Sequence, residues 1–138
     1  MIIADTGFWL ALANRSDRHH AAAQRALSGL REGLVTTWPV LTETCHLLLA
    51  RLGVPAELAF VRGLQGGACT VFQIVESHLP RLERLMEQYA DLPMHLADAS
   101  LVVLAEELGD GRILSTDRRD FHTYRWKQRK PFRNLLLP

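Results

Sequence analysis

The chain has 138 residues, of which 48% are hydrophobic and 22% are charged, and its net charge is +1. This length is enough for one domain with a buried core, and no apolar stretch approaches the roughly 18 residues of a membrane-spanning helix. The N-terminus enters a strand-like stretch with no basic region, which argues against a secretory signal. Cys45 and Cys69 lack the spacing of a metal site, so a cytoplasmic protein with reduced thiols is predicted.

Strand-like and helix-like segments alternate along the chain, which favours an α/β fold with a parallel sheet. In chain order the pattern predicts a strand over residues 1–5, helices over 6–13 and 19–30, a strand over 34–37, helices over 39–51 and 55–64, a strand over 69–74, helices over 78–89 and 95–108, and strands over 113–116 and 134–137. Pro39 near a helix start and Gly53 after a helix end support these boundaries. Because neither repeats nor linkers interrupt the pattern, residues 1–138 are predicted to form a single domain.

Four acidic residues lie where the pattern is otherwise apolar. Asp5 and Asp117 follow predicted strands, and Glu43 and Asp98 lie in what we predict to be the first turns of helices. Because ligands bind beyond the carboxyl ends of parallel strands, these side chains are expected to converge at one edge of the sheet. Unpaired buried carboxylates are strongly disfavoured, and no lysine lies in the four segments. A divalent cation is therefore the predicted partner, and an all-oxygen site suits Mg²⁺ or Mn²⁺.

Each acid also has a purely structural interpretation. Asp5 and Asp117 are suited to begin a helix or a turn, and Glu43 and Asp98 are suited to the positive end of a helix dipole. All four acids occur either at the end of a predicted strand or near the start of a predicted helix, and this shared placement favours a common site. His46, three residues after Glu43 on the same helix face, is a candidate to support that site.

Other enzyme classes fit the chain less well. Residues 5–7 spell the Asp-Thr-Gly of aspartic proteases, but those enzymes have an all-β fold and this chain contains long helical segments. Receiver domains and haloacid dehalogenase-like enzymes also use strand-end acids, yet both usually need a lysine near the site. The only lysines here, Lys127 and Lys130, lie far along the chain.

The near-neutral net charge is the sum of an acidic N-terminal part and a basic C-terminal part of the chain. Residues 1–117 carry nine Lys or Arg against fourteen Asp or Glu, whereas the remainder carries seven against one. Two interpretations of this basic C-terminal segment, residues 118–133, stay open. Either it attracts the phosphates of a polyanion while Tyr124 and Trp126 stack on bases, or it is a solvated basic tail.

Taken together, these motifs resemble the PIN domain, and most closely the VapC family of ribonuclease toxins from type II toxin–antitoxin systems. The resemblance covers essentially the whole chain, through residues 2–7, the helix of Glu43, residues 96–105 and residues 113–121. It implies a three-layer α/β/α sandwich around a central parallel sheet, and a Mg²⁺- or Mn²⁺-dependent endoribonuclease that hydrolyses RNA. It also implies a homodimer and a small co-encoded antitoxin. The alternative is a PIN-like module for RNA processing or RNA binding that has no antitoxin.

The resemblance assigns the catalytic and metal-binding roles to four residues, Asp5, Glu43, Asp98 and Asp117. Our hypothesis is that the three aspartates ligate the metal and that Glu43 ligates it or orients the attacking water. Polar support is expected from Thr6, Ser115 and Thr116. Asp120 is treated as peripheral, and His95 stands where some relatives carry another acid.

An inhibitory partner needs an apolar surface near the acidic site. The sequence predicts such a surface on two helices, formed by Phe8, Trp9, Leu12, Leu47 and Leu48. An apolar helix of the partner would bind there, and an arginine from it would pair with the acids.

Overall fold

Five parallel strands form the centre of the computed structural model, which describes residues 1–138. The strands of the chain are β1 (Ile2–Ala4), β2 (Leu34–Thr37), β3 (Thr70–Phe72), β4 (Arg112–Leu114), β5 (Arg125–Trp126), β6 (Lys130–Pro131) and β7 (Arg133–Asn134). The central sheet has the order β3-β2-β1-β4-β7, and β5 and β6 form a separate antiparallel hairpin.

Seven helices flank the sheet, and the predicted three-layer α/β/α arrangement is confirmed. They are α1 (Thr6–Ala13), α2 (His20–Gly29), α3 (Trp38–Leu52), α4 (Val54–Gln65), α5 (Leu79–Gln88), α6 (Leu96–Leu108) and α7 (Arg118–Thr123). Helix α6 is buried continuously from Ala99 to Ala105 and packs beside β2. None of the helices combines the length and the apolar character that crossing a membrane requires.

Strand order explains where a ligand site is expected. The chain proceeds from β1 to β2 and β3 on one side of the sheet, and β4 then pairs with the other side of β1. In such sheets the crevice at the point where the order reverses is the usual binding position. The register pairs Ala4 with Leu114, which brings the next residues, Asp5 and Ser115, side by side at that point.

The C-terminal segment differs from its prediction. Residues 118–131 contain α7 and the β5–β6 hairpin, neither of which was expected, and the final strand is Arg133–Asn134. The interpretation as a solvated tail is wrong, because Tyr124 and Trp126 are buried in the core. Burial also rules out the predicted stacking of these two rings on bases.

The predicted partner surface is also wrong. Phe8, Trp9 and Leu48 are almost completely buried, and Leu12 and Leu47 are partly buried. The reason is that α1 packs against both α2 and α3, so its apolar residues fill the core. Exposed apolar residues lie instead on the outer faces of α3 and α4, where Trp38, Leu49 and others are exposed.

Candidate active site

The four predicted acids line one pocket of about 250 Å³ at the carboxyl edge of the sheet. Its lining is entirely polar or small and consists of Asp5, Thr6, Gly7, Glu43, Pro93, His95, Asp98, Thr116, Asp117 and Asp120. Residues more than a hundred positions apart in the sequence therefore meet here, as expected for a site built at strand ends.

Asp5 lies at the end of β1 and begins α1 as its N-cap. Its carboxylate accepts hydrogen bonds from the backbone N–H of Thr6 at 2.7 Å and from the hydroxyl of Ser115 at 2.8 Å. Burial raises the pKa of Asp5 to about 7, and the negative charges of Asp98 and Glu43 add to this effect. The carboxylate is thus fixed in orientation while its charge lacks a basic partner.

Glu43 reaches the pocket from α3. It lies in the second turn of that helix rather than in the predicted first turn. The hydroxyl of Thr6 donates to its carboxylate at 3.0 Å, so Thr6 links the acid of α3 to the start of α1. Gly7 allows Thr116, which follows β4, to approach α1, because a Cβ atom at residue 7 would lie 1.8 Å from Oγ1 of Thr116.

Asp98 is in the first turn of α6 and accepts a hydrogen bond from the backbone N–H of His95 at 3.0 Å. The helix is held over the sheet by Ser100, whose hydroxyl lies 2.6 Å from that of Thr37 at the end of β2. Burial, with the charges of Glu43 and Asp117, raises the pKa of Asp98 to about 6.

Asp117 and Asp120 form the third side of the pocket. Asp117 is the N-cap of α7 and accepts from the backbone N–H of Asp120 at 3.0 Å, and its own N–H donates to Ser115. Burial and the neighbouring Asp117 raise the pKa of Asp120 to about 6. Asp120 therefore lies inside the acidic pocket rather than at its periphery, where it was expected.

The donor chemistry of the pocket fits a hard divalent cation. Its lining contains five carboxylates and neither lysine nor arginine. With the side chains as they stand, no three acids are grouped closely enough to hold one ion. Several of their oxygens accept protein hydrogen bonds instead. The second oxygens of Glu43 and Asp98 accept no protein hydrogen bond, so both are left with an acceptor that a cation could use. Oxygen-only ligation is what Mg²⁺ and Mn²⁺ prefer.

His46 does not line the acidic pocket. It borders two apolar cavities of about 680 Å³ each on the α3 side. The first of these shares Glu43 and His95 with the acidic pocket, and the second lies between α3 and α4. The two cavities share Trp38, Thr42 and His46, so a continuous apolar surface leads from the acids to the α3–α4 groove.

The basic hairpin β5–β6 lies away from the acids. Trp126 packs on Gly111, which precedes β4, whereas Asp117 follows that strand. The backbone N–H of Lys127 donates to Glu106 at 2.6 Å, eight residues and therefore about 12 Å along α6 from Asp98. The hairpin is thus at the opposite end of α6 from the pocket.

Three cations project from this hairpin. Lys127, Arg129 and Lys130 are exposed, and the ammonium groups of both lysines lie over the ring of Trp126. Arg125 is different, because one guanidinium nitrogen donates to the carbonyl oxygens of three residues at the end of α7. Its role is to stabilise the local fold, so the hairpin presents three exposed cations.

Comparisons with known proteins agree with this architecture. Residues 2–127 match the family model described as PIN domain. Ribonuclease VapC26 of Mycobacterium tuberculosis strain H37Rv is 34% identical over 124 residues, which cover 90% of this chain and 92% of that protein.

A second relative is similar in sequence and in structure. The 23S rRNA-specific endonuclease VapC20 of the same strain is 41% identical over 59 residues, which cover 43% of this chain and 45% of that protein. The crystal structure of Mycobacterium tuberculosis VapC20, described as a sarcin-ricin loop cleaving toxin, superposes with a TM-score of 0.80. That superposition covers 86% of this chain and 92% of that structure at 23% identity, and it supports the fold.

Proposed function

Because the chain belongs to the PIN-domain family, in its VapC group of ribonucleases, we propose that it is a metal-dependent endoribonuclease acting as the toxin of a toxin–antitoxin pair. The observation that carries the proposal is the convergence of five carboxylates in a pocket without lysine or arginine. A bound Mg²⁺ or Mn²⁺ would lower the pKa of an attacking water and offset the charge of the scissile phosphate.

The acidic residues of the pocket would have different roles in the reaction. Asp5, Asp98 and Asp117 would hold the cation, with Asp5 kept in place by its bonds from Ser115 and Thr6. Glu43 is anchored through one oxygen only, which leaves the other to orient a water or to join the ligand set. By resemblance to the family, cleavage would leave 5′-phosphate and 3′-hydroxyl ends.

Mapping RNA ends tests this proposal directly. RNA from cells in which the protein is briefly expressed should carry new 5′-phosphate ends at defined positions. Purified protein should produce the same ends with Mg²⁺ or Mn²⁺ and none in EDTA. Cleavage that persists in EDTA, or ends with 2′,3′-cyclic phosphates, would contradict the metal-dependent mechanism.

The basic hairpin should bind RNA phosphates away from the cleavage point. The triple variant Lys127→Gln, Arg129→Gln and Lys130→Gln removes three exposed charges, and each phosphate contact contributes about 0.7 to the salt dependence of binding to single-stranded RNA. The slope of log K against log salt concentration should therefore decrease by about 2. Turnover at saturating RNA should stay near the wild-type value, because the acids are untouched.

Exposed arginines elsewhere provide the matched control for this measurement. Replacing Arg15, Arg25 and Arg31 with glutamine changes the net charge equally but alters a different surface. This variant should retain most of the wild-type slope. Equal slopes for the hairpin variant and the wild type would show that the hairpin does not contact RNA.

We further propose that the antitoxin covers the α3–α4 groove. Trp38, Leu49 and Val61 are exposed apolar residues in or beside this groove, an arrangement typical of a protein interface. The continuous surface through His46 would let an arginine of the same partner reach the acidic pocket. This groove replaces the surface that the sequence predicted.

A charge placed in the groove should release the antitoxin. Val61→Asp should abolish co-purification with the co-encoded antitoxin, because burying an unpaired carboxylate against apolar side chains is strongly unfavourable. Cleavage of RNA by the free protein should remain. Leu27→Asp, at another exposed apolar residue on α2, is the control and should bind normally. Retention of the antitoxin by Val61→Asp would place the interface elsewhere.

The homodimer and the cytoplasmic location belong to the same proposal. Sedimentation equilibrium of the purified protein tests the dimer, with a monomer at micromolar concentration as the opposing result. Fractionation of cells of the source organism tests the location.

A further inference from the structure

A second cavity lies next to the acidic pocket. It has a volume of about 550 Å³ and is lined by residues of α7, of β7 and of the chain around β7. This volume lies within the roughly 300–1,000 Å³ of typical ligand sites. The cavity shares no residue with the acidic pocket or with the groove proposed for the antitoxin, so its lining needs an explanation of its own.

Helix α7 forms the wall between this cavity and the acidic pocket. Asp117, its N-cap, and Asp120 line the acidic pocket, whereas Arg118, Phe121 and His122 line the cavity. Residues three and four apart share one face of a helix. One face of α7 is therefore turned to the acids and a neighbouring face to the cavity.

A chain of hydrogen bonds also connects the two sites. Asn134 lines the cavity, and its side-chain amide donates to the carbonyl oxygen of Ser115 at 2.9 Å. The hydroxyl of Ser115 donates to the carboxylate of Asp5 at 2.8 Å and accepts from the backbone N–H of Asp117 at 2.9 Å. A single residue, Ser115, thus separates the cavity from two of the proposed metal ligands.

The floor of the cavity is apolar. Phe121 and Phe132 are largely buried and pack edge-on, with ring centroids 5.2 Å apart. Leu135 and Leu137, both only partly buried, complete the apolar part of the lining. Apolar surface left open in this way suits a flat, weakly polar group of a ligand.

The rim of the cavity is cationic. Arg118 and Arg133 are exposed, neither guanidinium forms an ion pair, and the lining contains no acid. The side chain of Arg118 has one long contact, to the carbonyl oxygen of Pro138 at 3.5 Å. Both guanidiniums are therefore available to an anion, and arginine binds phosphate well.

A nucleotide combines the two chemistries that this cavity offers. Its base is a flat ring that packs on aromatic and apolar side chains, and its phosphates pair with arginine. In single-stranded RNA the bases can be splayed out and bound individually. The exposed cations of the β5–β6 hairpin lie at the other end of α6, so they cannot hold the RNA strand at this point.

We propose that the cavity binds one unpaired nucleotide of the substrate RNA, next to the bond that is cleaved. The base lies on the apolar floor, and Arg118 and Arg133 bind the phosphates on its two sides. Because the cavity adjoins the acids, the bound nucleotide determines which phosphate reaches them. This inference rests on the proposed function, since it concerns the substrate of the same site.

RNAs with single abasic nucleotides test the inference on the unaltered protein. Dissociation constants are measured in EDTA for an RNA whose cleaved bond has been mapped and for versions that lack one base each. Removing the base at one position beside the cleaved bond should weaken binding about 5- to 150-fold, the usual effect of one base packed on an aromatic side chain. Removing bases far from that bond should have little effect.

A variant that fills the cavity tests its role in this discrimination. Leu137→Trp places a larger side chain in the lining, so it should bind intact RNA as weakly as the wild type binds the sensitive abasic RNA. It should bind that abasic RNA like the wild type, because no base then competes for the space. Its melting temperature shows whether the variant is folded.

A second variant tests the phosphate contacts and leaves the core unchanged. Replacing Arg118 and Arg133 with glutamine should decrease the slope of log K against log salt concentration by about 1.4, since each phosphate contact contributes about 0.7. Replacing Arg15 and Arg25, two exposed arginines elsewhere, changes the net charge equally and should retain most of the slope.

The outcomes separate this inference from the proposed function. Equal wild-type affinity for the intact and all abasic RNAs would overturn the inference, as would an unchanged salt slope without Arg118 and Arg133, while metal-dependent cleavage would still support the proposed function. If Leu137→Trp loses the antitoxin but still discriminates against the abasic RNA, the cavity binds the protein partner instead. If no RNA is cleaved with Mn²⁺, the proposed function fails, and this inference fails with it.

Discussion

Asp98→Asn is expected to abolish both RNA cleavage and the increase in melting temperature on addition of Mn²⁺. The substitution keeps the shape of the side chain and the acceptor for the backbone N–H of His95, but it removes one negative charge from the pocket. Loss of a residue that only supports metal ligands already costs about 10- to 100-fold in affinity or activity, so loss of a ligand should cost more than about 100-fold. Cleavage of a defined RNA and thermal unfolding with and without Mn²⁺ measure the two effects.

Asp17→Asn is the matched control for this experiment. Asp17 also accepts a backbone N–H, from His19 at 2.8 Å, but it lies outside the acidic pocket. Its asparagine variant should cleave RNA and respond to Mn²⁺ like the wild type. Near wild-type cleavage by Asp98→Asn would show that the acids do not form a single metal-dependent unit.

The free energy of unfolding of the metal-free protein should decrease as the pH rises from about 5 to 8. Burial raises the pKa of Asp5 from an ordinary value of 3.8 to about 7, so the folded protein binds a proton that the unfolded chain has released. Stability from this group is complete below pH 3.8 and is lost as the pH rises through 7. A shift of this size corresponds to about 4 kcal/mol between pH 3.8 and 7, of which about 3 kcal/mol falls above pH 5, and the raised pKa of Asp98 acts in the same direction.

Chemical denaturation at several pH values in EDTA measures this decrease. Asp5→Asn should remove most of it, because asparagine does not ionise, and saturating Mn²⁺ should reverse it in the wild type by stabilising the ionised carboxylates. Asp110→Asn is the control. Arg112 lowers the pKa of Asp110, so the ionisation of Asp110 changes the free energy of unfolding only at lower pH. A wild-type free energy that is constant from pH 5 to 8 in EDTA would refute the argument.

The local sequence pattern was sufficient to predict most of the fold. The strands and helices up to residue 116 lie close to their predicted positions, because apolar periodicity and the prolines and glycines at their ends act over short stretches of chain. The parallel sheet followed from the alternation of these elements, and the convergence of Asp5, Glu43, Asp98 and Asp117 on one edge followed from the sheet.

The C-terminal segment shows where local pattern fails. Its many charged residues suggested a strip or tail, because side-chain charge says little about whether the backbone packs on a distant part of the chain. Trp126 is buried because Gly111 leaves room for its ring, a contact between residues fifteen positions apart. Arg125 likewise loses its availability to RNA only because α7 ends beside it.

The sequence by itself was therefore sufficient to predict the fold class, the family and the convergence of the four acidic residues, since each of these depends on short motifs and their order along the chain. The tertiary structure alone decided that Asp120 joins the pocket and that Tyr124 and Trp9 belong to the buried core. It also decided that the exposed cations of the hairpin lie at the far end of α6. Burial and charge proximity depend on which elements pack together, and long-range packing is not encoded in the periodicity of any single segment.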